Sequence, residues 1–570
     1  MVSSVALASA LTGSWRAFGM WSSEGWSDTG DGWLFWLTWA SDPGGRRLWM
    51  AAALAFAAVV LAALTKSNRL SPLRTYSAAI DWISRPLICA LCLMLAVMPL
   101  AMARILAPNT EDKPTVVFIL LDSIRLDHVG WGGSELDTTP RLDALARSGA
   151  AFTQTITQAS WTKPSIGTLM TSQVPSTHEA TTRTTFLNPK MRTIGESFAA
   201  GGYRTLALSS NPNITPSFGF APGFEYFVHD ATSTAEPLIA TAKEWLSAGS
   251  DRASFLYLHL NDAHYPYDPA PKYAGMFNHT GVEAHLDGPS EEEFRQTQGE
   301  TFSAEEVESL RLSYAEEIRY LDDQVGALVE ELLASRDDIL VVIVSDHGEE
   351  FLDHGDLGHG HSLYDELILV PMQFAWSPAL GEKMGWSAGI HGEQVRHLDV
   401  LPTLLDAAGL EWPSAARAMQ GATLTPFFAR AENLRDRPAF SETDHKGSMI
   451  SGYAGALRAF RSDGYKMVVS ALWQELVPER GWLFHLVGDP GERRNIGKAN
   501  LELFQQLRAR MNTEGWAVDR DMNAIVSAEL SQAEQKMLDE LGYATGGEDS
   551  GPHESSFMAP AAVPWMELGD

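Results

Sequence analysis

Four short apolar runs, each ending in or directly followed by polar residues, constrain the fold of this 570-residue chain more than any other feature. They are rich in Val, Ile and Leu, and nearly continuous runs of this length are typical of strands buried on both faces of a sheet. The runs are TVVFILLD (115–122), RTLALSS (204–210), SFLYLHL (254–260) and ILVVIVSD (339–346). The sequence therefore predicts four buried strands.

Helical patterns separate these strands. Apolar residues recur at intervals of three and four in the stretches 139–149, 236–249 and 304–335. Strands and helices that alternate along a chain form a mostly parallel sheet covered by helices. We therefore expect an α/β fold, with a large domain at about 112–430 in which a mostly parallel sheet is sandwiched by helices.

The pattern changes after residue 430. Short strand-like runs joined by turns follow, and the SDG sequence within 455–470 is a hairpin signal. A smaller antiparallel subdomain is predicted for 431–545, with a helix near 500–513. The tail at 546–570 is rich in Gly, Pro and acidic residues, and it is predicted to be disordered.

Two apolar segments lie near the N-terminus, at 48–64 and 86–103. Neither contains a charged residue, and each approaches the ~20 residues that a bilayer-spanning helix needs. We interpret them as a transmembrane hairpin within 46–105, the alternative being two buried helices of a soluble domain. The loop between them carries four basic residues and one Asp, which favours a cytoplasmic loop and an extracytoplasmic, periplasmic position for the α/β domain. The pattern of 1–45 does not identify a structure.

The charge of the chain restricts its partners. Lys and Arg number 42 against 72 Asp and Glu, which gives a formal net charge of -30. Such a chain repels nucleic acid phosphates, so a DNA- or RNA-binding protein is not expected. An anionic substrate would need a locally positive site, for example a metal ion.

Polar side chains follow three of the predicted strands. Asp122 ends the first, Asp346 and His347 end the fourth, and His264 follows the third. Ligands of open parallel sheets bind outside the carboxyl ends of the strands, so these side chains are expected to meet. Carboxylates and imidazoles together suit Zn²⁺, Mn²⁺ or a similar ion. Each acid taken alone could instead be a helix cap or a turn residue.

A hydroxyl nucleophile is predicted in the stretch QASWTKPSIGTLMTS (158–172). Pro164 suits the first turn of a helix, and Thr162 stands just before it. A helix N-terminus attracts anions, and a Thr hydroxyl that also binds a metal ionises more readily than a free alcohol. The alternative is that Thr162 only caps the helix.

Six motifs, in this order and at these intervals, resemble the sulfatase family of the alkaline phosphatase superfamily. They are KPTVVFILLDSIRLDHVGWGG, ASWTKPSIGTLMTS, FLYLHLNDAHYPYDP, SDHGEEFLDHGDLGHGHSLYDELILVP, LDVLPTLLDAAGL and FHLVGDPGERRNI. The resemblance covers about residues 113–545. It implies an alkaline-phosphatase-like α/β sandwich with a small C-terminal sheet subdomain, and it implies cleavage of anionic sulfate or phosphate esters.

The resemblance also implies a metal site and a nucleophile. Asp122, Asp346 and His347 match metal ligands, and Thr162 stands where the family keeps its nucleophile and its remaining ligand. One divalent ion is expected, whether Zn, Mn, Ca or Mg.

A second set of residues matches the side of the site that meets the substrate and the leaving group. His264 matches a substrate-contacting histidine, and His361 or His359 occupies the region of a Lys or His that faces the substrate. His264 or His361 would protonate the leaving alkoxide, with Lys163 as a further cation.

Departures from the family pattern leave the reaction type open. Sulfatases carry Cys or Ser in a C/S-x-P-x-R motif and convert it to formylglycine, whereas this chain has Thr162 and, at the Arg position, Ile166. The paired acids common after the first strand are reduced to Asp122 and Ser123. These features resemble the Thr-nucleophile phosphotransferases of the superfamily, such as lipoteichoic acid synthases and phosphoethanolamine transferases. The later motifs resemble the hydrolytic branch.

Three functions therefore follow, in order of preference. The first is a metal-dependent hydrolase of sulfate or phosphate esters, the second is a membrane-anchored transferase, and the third is a binding-only pseudoenzyme. The histidine-rich stretch DHGEEFLDHGDLGHGH (346–361) could hold a second metal, but its glycine spacing favours a loop that lines the site.

Overall fold

The computed structural model describes residues 110–514, apart from 111, 249, 279–302, 414–415, 435–436, 444–456 and 471–480. The predicted transmembrane hairpin and the segment 1–45 lie outside the described residues, as does the predicted disordered tail. Within the described part of the chain, no helix is both long and apolar enough to cross a bilayer.

The described residues contain three sheets. In chain order, the strands are β1 (Thr115–Leu121), β2 (Ala150–Ile156), β3 (Arg204–Ser209), β4 (Tyr226–His229), β5 (Ser254–Leu260), β6 (Ile339–Ser345), β7 (Glu350–Phe351), β8 (Leu357–Gly358), β9 (Leu369–Trp376), β10 (Gly389–Arg396), β11 (Ala439–Thr443), β12 (Leu457–Ser462), β13 (Tyr465–Ser470) and β14 (Trp482–His485). The main sheet has eight strands in the order β10-β2-β9-β6-β1-β5-β3-β4, beside a four-stranded sheet and a two-stranded ribbon.

The described residues also form α-helices. In chain order, they are α1 (Pro140–Ser148), α2 (Thr162–Thr171), α3 (Pro175–His178), α4 (Ile194–Ala200), α5 (Ala235–Ser247), α6 (Ala304–Ser335), α7 (Asp365–Ile368), α8 (Pro378–Met384), α9 (Val400–Ala407), α10 (Thr425–Phe428) and α11 (Leu501–Thr513). Helix α6 has the bounds that the sequence predicts, and it begins with a capping box in which Ser303 and Glu306 bond each other's backbone N–H groups.

The predicted mostly parallel sheet is confirmed, with one strand reversed. All four predicted strands belong to it, and β1 is paired in parallel with both β5 and β6. Strand β9 is antiparallel to its neighbours β2 and β6. The chain enters β9 from the carboxyl end of β6 without crossing the sheet, and a chain that returns in this way must run antiparallel.

Two apolar layers cover the faces of the sheet because successive side chains of a strand point to opposite sides. In β1, Val117, Ile119 and Leu121 belong to one buried cluster, to which α5 and α6 contribute. The alternate residues of β1 belong to a second cluster, to which α2, α4 and α9 contribute. The sheet is thus held rigidly between helices, and its carboxyl edge can support a site.

The predicted C-terminal antiparallel sheet is also confirmed, with strand order β11-β12-β13-β14. Its SDG signal forms the turn between β12 and β13, where Asp463 and Gly464 have φ of 53° and 77°. Two consecutive positive φ angles are typical of a type I′ hairpin turn, which favours Gly. Helix α11 contributes Phe504, Leu507 and Met511 to the core of this sheet.

A buried ion network joins the C-terminal sheet to the segment before β9. Lys466 of β13 is fully buried, and its ammonium lies 2.8 Å from Asp365 and 2.7 Å from Glu492. Arg461 of β12 pairs with the same Asp365. Glu492 also accepts a hydrogen bond from the backbone N–H of Asp365, at 2.7 Å. These contacts fix the small sheet against α7, which follows the histidine-rich loop.

Replacing Lys466 with Met should lower the free energy of unfolding by about 3–5 kcal/mol, because a buried carboxylate would lose its ion-pair partner. Urea unfolding followed by circular dichroism measures this change. Lys498→Met is the matched control, since Lys498 is exposed, and should change stability by no more than about 0.5 kcal/mol. Equal stabilities of the two variants would show that the network contributes little.

Candidate active site

Strand register brings two acids together at the carboxyl edge of the main sheet. Leu121, the last residue of β1, is paired with Ser345, the last residue of β6. Asp122 and Asp346 follow these residues, and both are fully buried. The backbone N–H of Ser123 donates to Asp346 Oδ1 at 3.1 Å. The two carboxylates therefore meet as the sequence predicts.

His347 joins both acids. Its Nε2 lies 3.7 Å from Asp122 Oδ1 and 3.5 Å from Asp346 Oδ2. Its Nδ1 is 2.8 Å from the carbonyl of Gly348, which only accepts hydrogen bonds, so Nδ1 carries the proton and the Nε2 lone pair faces the acids. A carbonyl that fixes the tautomer in this way is typical of a metal-binding histidine.

Thr162 completes the group. Helix α2 begins at Thr162, and Trp161 occupies the N-cap position, so Thr162 is not the capping residue considered above. Its Oγ1 lies 3.2 Å from His347 Nε2. The hydroxyl is thus at the N-terminus of a buried helix, where unpaired N–H groups favour negative charge.

The distances between these groups suit one small cation. Ligands at 2.0–2.2 Å in a tetrahedron are separated by about 3.4 Å. The three distances from His347 Nε2 to Thr162, Asp346 and Asp122 are 3.2, 3.5 and 3.7 Å. In addition, Asp346 Oδ2 accepts no hydrogen bond from the described residues, although it is buried. The residues present therefore fit a divalent metal, whose identity the donor set leaves open.

The pKa shifts of the site residues also favour a bound cation. Burial raises the pKa of Asp346 well above its usual value, and the charge of Asp122 adds to this effect. Burial opposes ionisation of Asp122 too, but the hydrogen bond from His259 and the nearby histidines hold its pKa well below the usual range. Burial and the neighbouring His359 lower the pKa of His347. A bound cation would offset the repulsion between the two acids and would favour neutral His347 as a ligand.

Two further histidines border the group. The rings of His347 and His359 are 4.3 Å apart, and those of His359 and His264 are 5.1 Å apart. His359 stands between Gly358 and Gly360, whose φ angles of 83° and 88° favour glycine. The glycine spacing noted in the sequence thus serves a loop that turns a histidine toward Thr162 and the acids.

Comparisons with known proteins identify the family of this chain. The profile of the sulfatase family matches residues 114–410, just over half of the chain. The chain belongs to the sulfatase family.

Relatives of this sulfatase-family chain carry several activities in their names. A choline-sulfatase of Rhizobium meliloti is 25% identical over 467 residues, which cover 70% of this chain and 87% of that protein. The multifunctional alkaline phosphatase superfamily protein PehA of Trinickia caryophylli is 22% identical over 67% of this chain and 91% of its own length. The phosphonate monoester hydrolase of Silicibacter pomeroyi superposes with a TM-score of 0.59 at 20% identity, over 71% of this chain and 95% of that chain. Family membership confirms the prediction that this chain is an enzyme of the sulfuric ester hydrolase type.

The remaining predicted site residues have other contacts in this sulfatase-family structure. His361 Nε2 lies 2.7 Å from Glu350 Oε2. The Lys163 ammonium donates to the backbone carbonyls of Thr182 and Arg183 and lies over the ring of Phe218. Burial, with Arg183 nearby, lowers the pKa of Lys163 well below its usual value. The structure therefore brings His264 and His359 to the group around His347. The contacts described for His361 and Lys163 are with Glu350 and with backbone carbonyls.

The loop that carries these histidines is fixed by its own acids. Glu350 Oε1 accepts hydrogen bonds from the backbone N–H groups of His354 and Asp356, each at 2.9 Å. Glu349 Oε1 lies 3.1 Å from His359 Nδ1. The ring of His354 stacks on Tyr364. Thus Glu349 and Glu350 orient the loop.

The sequence prediction missed His259, which contacts Asp122. One oxygen of Asp122, one oxygen of Asp346 and one nitrogen of His259 lie within 4.8 Å of one another. His259 is the penultimate residue of β5, in the run SFLYLHL. The sequence signal that could have identified His259 is a single imidazole within a mostly apolar strand, which is buried throughout. Asn211, after β3, was also missed, although its amide donates to Asp122 Oδ2 at 2.8 Å.

Proposed function

We propose that the protein is a metal-dependent hydrolase that cleaves sulfate or phosphate esters with Thr162 as its nucleophile. The observation that carries the proposal is the position of the Thr162 hydroxyl, which lies 3.2 Å from His347 Nε2 at the start of a buried helix. Nucleophile, acids and imidazole come from three distant parts of the chain and converge on one sheet edge. A capping or packing role for Thr162 would not require this convergence.

A metal ion held by Asp122, Thr162, Asp346 and His347 would lower the pKa of the Thr162 hydroxyl and offset the charge of the substrate. The Thr162 hydroxyl loses its proton to solvent, and its oxygen then attacks the sulfur or phosphorus in line. The bond from that atom to the leaving oxygen breaks. The product is an ester of Thr162. The N-terminus of α2 would stabilise the oxygens that gain charge.

The departing alkoxide requires a proton. His264 and His359 are suitably placed, because their rings adjoin each other and His359 also adjoins His347. Glu349 orients His359 through Nδ1, and the proton transfer is assigned to the other ring nitrogen, Nε2. Water then attacks the sulfur or phosphorus of the Thr162 ester, and the bond from that atom to Thr162 Oγ1 breaks. The same histidine accepts the proton of that water.

The nucleophile type bears on the substrate class. A threonine cannot become formylglycine, so the ester of Thr162 must be released by direct attack on sulfur or phosphorus. This requirement favours a phosphate or phosphonate ester over a sulfate ester. The relatives are named for sulfate esters and for a phosphonate monoester, and a hydrolase fits these names better than the transferase alternative.

An assay of four substrates side by side tests the proposal. Aryl sulfate, aryl phosphate, bis-aryl phosphate and aryl phosphonate are incubated with protein loaded with Zn²⁺ or Mn²⁺. We expect release of the phenol from at least one substrate, and the preferred one identifies the ester class. No release from any of the four, by protein that holds stoichiometric metal, would refute the hydrolase and favour the binding-only alternative or a transferase that requires its own acceptor.

His359→Gln should lower kcat by about 10²-fold or more with alkyl esters, whose leaving groups need a proton, and by much less with a nitrophenyl ester. His361→Gln is the comparison variant, because His361 Nε2 lies 2.7 Å from Glu350 Oε2. The measurement is kcat for both variants over a series of leaving groups. A loss that does not depend on the leaving group would exclude proton donation by His359.

The two N-terminal apolar segments complete the proposal. We propose that 48–64 and 86–103 anchor the protein in a membrane with the catalytic part outside the cytoplasm, a position that suits an enzyme acting on external esters. Membrane fractionation and protease protection of spheroplasts test this. Recovery of the full-length protein in the soluble fraction would contradict it.

A further inference from the structure

His259 contacts the carboxylate of Asp122 directly. It is fully buried, and its Nε2 lies 2.9 Å from Asp122 Oδ2. The same oxygen accepts a second hydrogen bond, at 2.8 Å, from the side-chain amide of Asn211. Asn211 in turn donates to the side-chain oxygen of Asn261. His259 of β5 and Asn211, which follows β3, thus both bond one oxygen of the acid.

The proton on His259 can be assigned. A carboxylate only accepts hydrogen bonds, so a ring nitrogen 2.9 Å from Asp122 Oδ2 must carry a hydrogen. The other nitrogen, Nδ1, lies 3.2 Å from the phenolic oxygen of Tyr257. Tyr257 and His259 are two residues apart in β5, so they point to the same face of the sheet. A nitrogen that carries a hydrogen has no lone pair for a metal.

The two oxygens of Asp122 therefore make different contacts. Oδ2 is bonded by His259 and Asn211, whereas Oδ1 faces His347 Nε2 at 3.7 Å. Thr162 and Asp346 lie around that same His347 nitrogen. His259 thus contacts the oxygen of Asp122 other than the one that faces His347 Nε2.

We propose that His259 is a positioning residue and not itself a metal ligand. Its hydrogen bond to Oδ2 holds the Asp122 carboxylate so that Oδ1 is presented to the metal. Tyr257 supports the ring through Nδ1. The proposal rests on the metal site of the proposed function. A donor that fixes a ligating carboxylate typically changes metal affinity by 10–100-fold when it is removed.

Three variants of the full-length protein distinguish a positioning role of His259 from a role as a metal ligand. His259→Gln keeps an N–H donor near the position of Nε2, His259→Leu removes the donor at similar size, and Tyr257→Phe removes only the phenol. Zn²⁺ affinity is measured by competition with a chelator, and the visible absorption of bound Co²⁺ reports the ligand set. Melting temperatures of the metal-free proteins report folding.

We expect His259→Gln to bind Zn²⁺ within about threefold of the parent protein and His259→Leu to bind about 10–100-fold more weakly. Tyr257→Phe should fall between them, and all three should retain the Co²⁺ spectrum of the parent. Weak binding by both His259 variants with a changed Co²⁺ spectrum would make His259 a ligand. If His259→Leu binds Zn²⁺ as tightly as the parent protein does, His259 has no role in metal binding.

These outcomes do not depend on turnover. If the protein binds Zn²⁺ but cleaves no ester, the proposed hydrolase fails while the affinities still decide the role of His259. If His259→Leu does not fold, the comparison of His259→Gln and Tyr257→Phe with the parent decides it. A changed Co²⁺ spectrum in His259→Gln, in a folded protein, overturns the proposal.

Discussion

Thr162→Ala is expected to lower kcat by about 10³-fold or more on whichever ester the protein cleaves, because the variant has no oxygen that can attack sulfur or phosphorus. Melting temperature should change little, since the hydroxyl makes its described contact with His347 rather than with a helix N–H group. Steady-state kinetics at saturating metal measures the loss.

Two controls bracket this result. Thr162→Ser keeps a hydroxyl and should retain measurable turnover. Thr171→Ala is the matched control, because Thr171 is buried in the same helix and its hydroxyl bonds the backbone carbonyl of Gly167. Turnover in Thr162→Ala close to that of Thr171→Ala would exclude Thr162 as the nucleophile, and mass spectrometry of trapped enzyme would then locate the true one.

Asp346→Asn is expected to weaken Zn²⁺ binding by more than about 100-fold, a larger loss than that typical of a residue that only supports a ligand. The substitution keeps the shape of the side chain but removes the charge, and Asp346 Oδ2 faces the site with no hydrogen-bond donor among the described residues. Turnover should fall with metal occupancy and recover in part at high metal concentration.

Asp338→Asn is the matched control for this variant. Asp338 stands just before the opposite end of β6 and bonds Arg336 and Thr115, away from the site. It should bind Zn²⁺ like the parent protein. The metal-site assignment fails if Asp346→Asn binds Zn²⁺ as tightly as Asp338→Asn does.

Much of the fold was predictable because the central strands are buried on both faces. The runs that became β1, β5 and β6 contain almost only apolar residues, and a continuous apolar run has one favourable place in an α/β protein. Strands β2 and β10 lie toward one edge of the sheet and include polar residues, so AAFTQTI and GIHGEQVR lack that signal. The reversed β9 depends on where its connection runs, which local sequence does not encode.

The site was predictable where a polar residue ends an apolar strand. Asp122, Asp346 and His347 gave that signal, and the structure brings them together with Thr162. His259 lies inside its strand, where a lone histidine is equally consistent with packing. The separation of His359 from His361 was not predictable, because it depends on the positive φ angles of Gly358 and Gly360 and on the acids that bond the loop.

The pairing of β1 with β6 has a consequence for biosynthesis. Ser123 and Asp346, which bond each other beside the site, are separated by 223 positions in the chain. At the 5–20 residues per second of translation, roughly 10–45 s pass between the synthesis of these two residues. Until then β1 lacks one of its neighbours, and such long-range pairing is slow to form. At the proposed metal site, a nascent chain therefore could not capture an ion early, and uptake of the ion would report that the central sheet has closed.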